Sequence, residues 1–208
     1  MPDWNPAISE ARALTIDGRF SEALKLLDGV IPSLGVSRAD LSLAELATAR
    51  DLRREANFRL KAFASALEDA SAARELFERI GWSSRACDVT FTLVYFYRDH
   101  LEDAEAMNRE LGRVAKCALL SPRYAVLWRY YQAKYLDWVG QLARAWEQIS
   151  GTDSLARRLQ DHEFALTLLA FEHTLAESVG DGDALQAVEA RIEAVERGFG
   201  MDRFCGRS

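Results

Sequence analysis

The chain has 208 residues, of which 49% are hydrophobic and 28% are charged, a balance typical of a globular protein with its own core. A net charge of −6 and a pI of about 5.2 disfavour nonspecific binding to nucleic acids or anionic membranes. Four prolines and no low-complexity run argue against long disordered linkers.

The first residues predict a hairpin of two helices. Asp3 or Asn5 can cap the first helix with Pro6 just inside it, and this helix is expected to end near Asp17. Its partner is predicted from residue 21 to about 31, where Pro32 breaks it. The start of the chain lacks the basic and apolar regions of a signal peptide, and no apolar run approaches the length of a membrane span. We therefore expect a cytoplasmic protein.

The next predicted helix, from about Leu41 to Leu60, carries a basic stripe opposite its apolar side. The stripe could hold an acidic segment or a C-terminal carboxylate through Arg53, Arg54, Asn57 and Lys61. The alternative is a solvated helix face whose charges are balanced by Asp51, Glu55 and Glu68.

The middle of the chain contains a segment of ambiguous composition. A helix is predicted from about Phe63 to Ile80, where Gly81 ends it. Residues 89–97 are rich in β-branched and aromatic side chains, which alone would favour a buried strand. A single strand without a partner would leave its backbone unpaired, so the helical context favours a buried helix. Another helix is predicted from Asp103 to about Leu119.

Ser121 and Pro122 form a strong start for the most aromatic helix of the chain, which is expected to end near Val139. After a helix that Gly151 stops, one long helix is predicted from Asp153 to about Val179. A last amphipathic helix spans residues 184–197, and the tail that follows can fold back on it through Phe199, Met201 and Phe204.

One stretch, residues 18–27, returns in weaker copies along the chain. It combines Gly18, which can end a helix in the left-handed conformation, with Phe20 and with the small Ala23, where two helices would cross closely. The small residue recurs about every 40 residues, at Ala23, Ala66, Ala104, Ala145 and roughly Ala187. A repeat of this length predicts a stack of helical hairpins.

These turns resemble the tetratricopeptide-repeat (TPR) superfamily. The first hairpin carries the match through Ala11, Leu14, Gly18, Phe20, Ala23, Leu24 and Leu27, and the fourth through Ala133, Leu136, Gly140, Leu142 and Ala145. The long repeat is similar to variants found in bacterial signalling and regulatory proteins. The resemblance implies an all-α fold and a single domain over residues 1–208. That domain would be a right-handed superhelical array of about five antiparallel hairpins, at about 3–35, 38–81, 83–119, 121–151 and 153–198, with a tail over 199–208.

Candidate catalytic chemistry is missing from the sequence. It contains no GxGxxG, GxxxxGK[ST], HExxH or GxSxG motif, so we predict a protein that is not an enzyme and uses no cofactor. His162 and His173 share one helix face, but three turns of helix separate them by about 16 Å, too far for one metal ion. We therefore predict no metal site.

In TPR-like arrays the first helix of each hairpin lines a concave groove. The resemblance implies a partner-binding groove in this chain formed by Phe96, Tyr97, Tyr130, Lys134 and Trp138. Tyrosine and tryptophan offer large apolar contact with a polar handle, and a lysine can donate to a carboxylate. Core packing is the alternative for each of these aromatic side chains.

The function predicted first is a non-catalytic adaptor or scaffold that binds a protein or peptide segment in this groove. The alternatives are a regulator that encloses a small molecule or short peptide, and a pathway enzyme or pocket protein with an unrecognised site. A homodimer through the last helix is a further hypothesis, because this helix places Ala184, Val188, Ile192 and Val195 on one apolar face. The alternative is that the tail covers the same face.

Overall fold

A computed structural model describes the backbone of residues 5–35 and 40–205 and the side chains of residues 5–35 and 41–198. The chain comprises two compact units, Met1–Glu110 and Leu111–Ser208. In the first unit, the helices are α1 (Pro6–Ile16), α2 (Phe20–Leu34), α3 (Asp40–Arg59), α4 (Phe63–Arg79) and α5 (Ser83–Asp99). Helix α6 (Ala104–Val114) follows, and a 3₁₀ helix (Ala115–Leu119) continues it. The second unit contains α7 (Pro122–Trp138), α8 (Leu142–Ile149), α9 (Asp153–Arg158), α10 (His162–Val179) and α11 (Gly182–Cys205).

The hairpin turns share one hydrogen-bonded geometry. A residue in the left-handed conformation follows the helix, and the next amide donates to the carbonyl five residues earlier, which satisfies the free helix end. The recurring bonds, each 2.8 Å long, run from the amides of Arg19, Ala62, Trp82 and Gln141 to the carbonyls of Leu14, Asn57, Phe77 and Leu136. Gly18 and Gly140 supply the left-handed residue with φ of 76°. The predicted helix ends at these glycines are confirmed.

Unit 1 packs its first helices through small side chains. Ala11, Ala23 and Leu27 have no exposed surface. Ala11 and Leu27 lie in one core cluster with Ile8 and Ala49. A second cluster joins α4 and α5 through Ala66, Ala70, Phe77, Val89 and Leu93. Ala23 and Ala66 are both fully buried, which is consistent with small side chains where helices pack. Ala104 and Ala187 were predicted as equivalent anchors, but neither is buried. Their buried neighbours are Ala106, Met107 and Val188.

The ambiguous segment 89–97 is helical and lies within α5. Val89, Leu93 and Phe96 have at most 2% of their surface exposed, and their spacing of four and three residues places them on one face of the helix. Burial of β-branched and aromatic side chains explains the strand-like composition, and no strand occurs among the described residues.

Unit 2 has a core cluster that α7, α8, α9 and α10 share. Val126, Ala133, Ala145, Ala156 and Leu168 belong to it, and Tyr130 and Phe164 pack against it. A smaller cluster joins α10 to α11 through Leu169, Val188 and Val195. The apolar face of α11 that suggested a homodimer is therefore covered within this unit, at least at Val188 and Val195, which are 1% and 3% exposed.

Three expected boundaries differ from the structure. Pro32 does not end α2, which continues to Leu34, because a proline this near the helix end costs little more than one hydrogen bond. The predicted helix 103–119 tightens into the 3₁₀ helix after Val114. The predicted helix 153–179 is two helices, because Gln160 takes a φ of 58° and Asp161 caps α10 by accepting from the Phe164 amide.

The predicted tail contacts of Phe199, Met201 and Phe204 lie outside the described side chains. Within the part of the chain that the structure describes, no helix is long and apolar enough to span a lipid bilayer.

Candidate functional site

Helix α7 carries a continuous stripe of large and charged side chains along one face. The stripe consists of Arg123, Leu127, Tyr130, Lys134 and Trp138, spaced by four, three, four and four residues. Two of its members, Arg123 and Trp138, are exposed at opposite ends, and the three between them are partly buried. The stripe contains three of the five predicted groove residues, namely Tyr130, Lys134 and Trp138.

The centre of the stripe packs on two phenylalanines of α10. The ring of Tyr130 meets Phe164 and Phe171 edge-on, with centroids 5.5 and 5.9 Å away. Lys134 Nζ lies 3.8 Å from the Phe171 centroid and 5.5 Å from that of Tyr130. An ammonium at this distance is attracted by the negative face of the ring. Tyr130 and Lys134 therefore help to hold α7 against α10 and form the floor of a surface between the two helices.

A cleft opens beside this floor, with a volume of about 320 Å³. Its apolar walls are Val126 and Leu127 of α7, Ala156 of α9, Leu159 of the α9–α10 link and Phe164 of α10. Four polar side chains lie at its rim: Arg123, Asp161, Glu163 and Thr167. All four are exposed, so the cleft is open to solvent. The break between α9 and α10 builds one wall, because Leu159 and Asp161 come from the residues that separate the two helices.

The two predicted groove residues of unit 1 have different surroundings. Phe96 is only 2% exposed and belongs to the core, where its ring lies 5.0 Å from Phe58. Tyr97 is partly buried, and burial, followed by the nearby Glu110 carboxylate, raises the pKa of its hydroxyl above the usual range. Phe96 therefore acts as a packing residue, while Tyr97 keeps part of its surface in solvent.

The basic stripe of α3 is occupied by carboxylates of its own unit. Asp69 of α4, which is 1% exposed, accepts from Arg53 Nε at 2.8 Å and Nη2 at 2.7 Å, and from Arg50 Nη1 at 2.9 Å. Asn57 Nδ2 donates to the same carboxylate at 3.2 Å. The hydrogen bonds to Asp69 raise the pKa of Arg53 above its ordinary value. An acidic partner would have to replace Asp69 at these donors.

The other two residues of that stripe also have structural settings. Arg54 pairs with Asp51 and Glu55, each at 2.9 Å. These two carboxylates are among those that the alternative interpretation, a helix face with balanced charges, predicted as partners of the stripe. Burial raises the pKa of Glu55, but Arg59 and Arg54 outweigh burial, so the pKa lies below its ordinary value. Lys61 lies in the α3–α4 turn, with a left-handed φ of 62°. The stripe is thus brought together, with at least three of its four members in ion pairs or hydrogen bonds.

Comparison with known proteins identifies the fold of the chain. No protein-family model matches the chain, and no curated protein matches it. The solved structure of BtubC (BKLC) from P. vanneervenii superposes with a TM-score of 0.73 at 14% identity, covering 91% of this chain and 78% of that one. The nearly identical TPR-like repeats of a putative kinesin light chain from Podosopora anserina superpose with a TM-score of 0.68 at 15% identity. That match covers 93% of this chain and 95% of the other.

The chain has a TPR-like helical-repeat fold. The ring contacts of Tyr130 with Phe164 and Phe171 place α7 beside α10 within this fold.

Sequence analysis missed the residues that α10 and its preceding link contribute: Leu159, Phe164, Thr167 and Phe171. The signal for α10 was present, since Phe164 and Phe171 are seven residues apart and share a helix face. His173 lies 3.6 Å from both Glu177 and Glu189, and no group of three or more His, Cys, Asp or Glu side chains in the described residues is arranged to hold a metal ion.

Proposed function

We propose that the chain is a non-catalytic adaptor that binds a peptide segment of a partner protein on the surface between α7 and α10. The observation that supports this proposal is the open cleft of about 320 Å³ with apolar walls and a polar rim. Binding sites generally combine such walls with a few polar groups that fix orientation. TPR-like scaffolds are commonly protein-binding.

The proposed partner segment carries one large apolar side chain, which enters the cleft. Leu127 and Phe164 would contact that side chain, because both line the cleft and both are only partly buried. A few buried anchors dominate the affinity of most protein interfaces, so this contact would supply much of the binding free energy. The exposed Trp138 at the far end of the α7 stripe offers a second apolar contact, since 39% of its surface is exposed.

The surface suits a peptide better than a flat protein face. The α7 stripe extends from Arg123 to Trp138, about 22 Å along a helix axis at 1.5 Å per residue. A segment of this length, extended or helical, can follow the stripe while one side chain fills the cleft. Cytoplasmic location stays a prediction from the sequence.

Blocking the cleft tests the proposal. Thr167 is exposed at the rim, and its hydroxyl donates only to the Glu163 carbonyl one turn earlier. We expect Thr167→Arg to fill the cleft entrance and to weaken peptide binding by about tenfold or more, the effect of losing one good anchor contact. The measurement uses peptides selected from a displayed random library on the immobilised full chain, with Kd from fluorescence polarisation.

Thr174→Arg is the matched control. Thr174 is also exposed on α10 and donates to the carbonyl four residues earlier, but it does not line the cleft. Peptides that contain a large apolar residue, bind wild type and Thr174→Arg equally and bind Thr167→Arg weakly would support the proposal. Peptides that bind all three proteins equally would contradict it, as would a library without enriched sequences.

A ligand-sensing regulator is the second candidate, favoured by the same cleft volume, which lies at the lower end of small-molecule sites. A ligand screen by thermal unfolding distinguishes the two, because a bound small molecule stabilises the folded chain without any peptide. Stabilisation of wild type that Thr167→Arg abolishes would move the assignment from a peptide to a small molecule.

A further inference from the structure

A second polar cluster lies on the side of α10 that faces α11. Arg191 of α11 donates from Nη1 to Asp153 Oδ1 at 3.2 Å and forms an ion pair through Nη2 with Glu172 Oε1. Both carboxyl side chains are only 1% exposed. Ser150 at the end of α8 donates to Glu172 Oε1 at 3.2 Å. The cluster thus links four helices of unit 2, and it is separate from the cleft between α7 and α10.

The cluster concentrates polar atoms that have no hydrogen-bond partner. Among the described residues, six buried side-chain nitrogen or oxygen atoms lack one, and four of them belong here: Thr152 Oγ1, Asp153 Oδ2, Glu172 Oε2 and Arg191 Nε. Arg157 Nη2 lies 3.2 Å from Asp153 Oδ2 and forms an ion pair with it, but the two groups are not aligned as a hydrogen bond. Buried polar atoms in folded proteins are nearly always paired, with protein or with ordered water.

The chemistry of these atoms selects the kind of molecule that can pair them. Asp153 Oδ2 and Glu172 Oε2 accept, Arg191 Nε donates, and the Thr152 hydroxyl does both. A bare cation would meet the guanidinium of Arg191, and an anion would meet two carboxyl groups. A water molecule offers two donors and two acceptors, which complements a mixture of this kind. Buried waters typically make about three hydrogen bonds to groups that would otherwise be unsatisfied.

We propose that this cluster is a binding site for an ordered internal water molecule. The water donates to Asp153 Oδ2 and Glu172 Oε2 and accepts from Arg191 Nε and the Thr152 hydroxyl. It joins α9, α10 and α11, of which α9 and α10 replace the single helix expected over 153–179. Because α10 carries Phe164 and Phe171 on another face, the water supports the helix that the proposed peptide surface depends on.

A variant of Thr152 tests the site, because the proposal predicts whether the midpoint of thermal unfolding falls or rises. Thr152→Val exchanges the hydroxyl for a methyl group of nearly the same size. If the hydroxyl binds the water, the exchange removes a hydrogen bond, and we expect the midpoint of thermal unfolding of the full chain to fall by about 2–4 °C. If the hydroxyl is buried without any partner, removing it is favourable, and the midpoint stays or rises. The second result would overturn the proposal.

Thr174→Val is the control for this exchange, since Thr174 is exposed on α10 and bonds only its own helix. Its midpoint should match that of wild type. A crystal structure of the full chain provides the direct observation. We expect a solvent peak within hydrogen-bond distance of both Asp153 Oδ2 and Glu172 Oε2. A direct bond from Arg191 Nε to Glu172 Oε2, with no solvent peak in the cluster, would overturn the proposal.

Discussion

The residue in the left-handed position of the turn differs from one hairpin to another. Gly18, Gly140 and Gly180 fill the left-handed position in three hairpins, but Lys61 and Glu102 hold it in two others, with φ of 62° and 50°. A side chain in this conformation brings Cβ close to the following carbonyl oxygen, which costs roughly 1–2 kcal/mol. Glycine avoids that cost.

Lys61→Gly should therefore stabilise the chain. We expect the free energy of unfolding to rise by about 0.5 kcal/mol, because relief of the strained φ exceeds the extra entropy that glycine adds to the unfolded chain. The reverse exchange, Gly140→Ala, should lower it by about 1 kcal/mol. The added Cβ at Gly140 would meet no atom within 4 Å, so the backbone alone sets that loss. Urea denaturation measures both.

Lys25→Gly separates the turn effect from the loss of a lysine. Lys25 is exposed within α2, where φ is negative, so glycine there should cost about 1 kcal/mol. If Lys61→Gly loses stability as Lys25→Gly does, then the Lys61 side chain stabilises the turn and the strain argument fails.

At the scale of elements, α3 and α4 are joined by one buried carboxylate. Asp69 accepts four hydrogen bonds from Arg50, Arg53 and Asn57, and Arg53 also reaches Asp28 of α2 at 2.8 Å. Asp69→Ala would leave Arg50 without its carboxylate and Arg53 with only the exposed Asp28, although these arginine side chains are just 25% and 21% exposed. We expect a loss of about 3 kcal/mol in the free energy of unfolding, which chemical denaturation measures.

Asp28→Ala is the comparison for that variant, because it removes a carboxylate from the same arginine at a site that is 62% exposed. Exposed ion pairs contribute little, so its loss should stay within about 0.5 kcal/mol. Equal losses for the two variants would mean that burial of Asp69 does not determine its contribution.

Helices α3 and α10 also mark where prediction from sequence succeeded and where it could not succeed. Helical spacing of the apolar residues identified α3 and the basic stripe on it, since both are local properties of the chain. The partner of that stripe, Asp69, lies on another helix. Nothing in the local sequence distinguishes it from the other acidic residues between Phe63 and Ile80. Only the hairpin packing brings the two together.

The break before α10 shows the same limit. Residues 159–161 read as helix because Leu159, Gln160 and Asp161 include no glycine or proline. Gln160 takes a left-handed φ of 58° just after the short α9, and this link supplies Leu159 and Asp161 to the cleft. The aromatic stripe of α7 could be predicted from the sequence. The cleft beside it could not, because it is formed by the break between α9 and α10, which the repeat pattern does not predict.

At the scale of the whole molecule, the remaining question is self-association through α11. Val188 and Val195 are buried with Leu169, and the half-buried Ile192 packs against them, so the described part of this face offers little apolar surface to a second copy. The exposed sides of α11 carry Glu189, Glu193, Glu196 and Arg197. In a two-fold symmetric interface each residue faces the same surface of the other copy, so three glutamates would meet three glutamates with one arginine on each side.

Sedimentation equilibrium of the full chain tests this argument. We expect a single species of 23.4 kDa whose mass does not change with protein concentration. A mass that doubles with concentration would restore the homodimer that the apolar pattern of α11 suggested. Glu193→Lys would then show whether α11 forms the interface, since a dimer through this face would change its dissociation constant and a dimer elsewhere would not. A monomer would leave the α7–α10 surface as the interaction site with the strongest structural support.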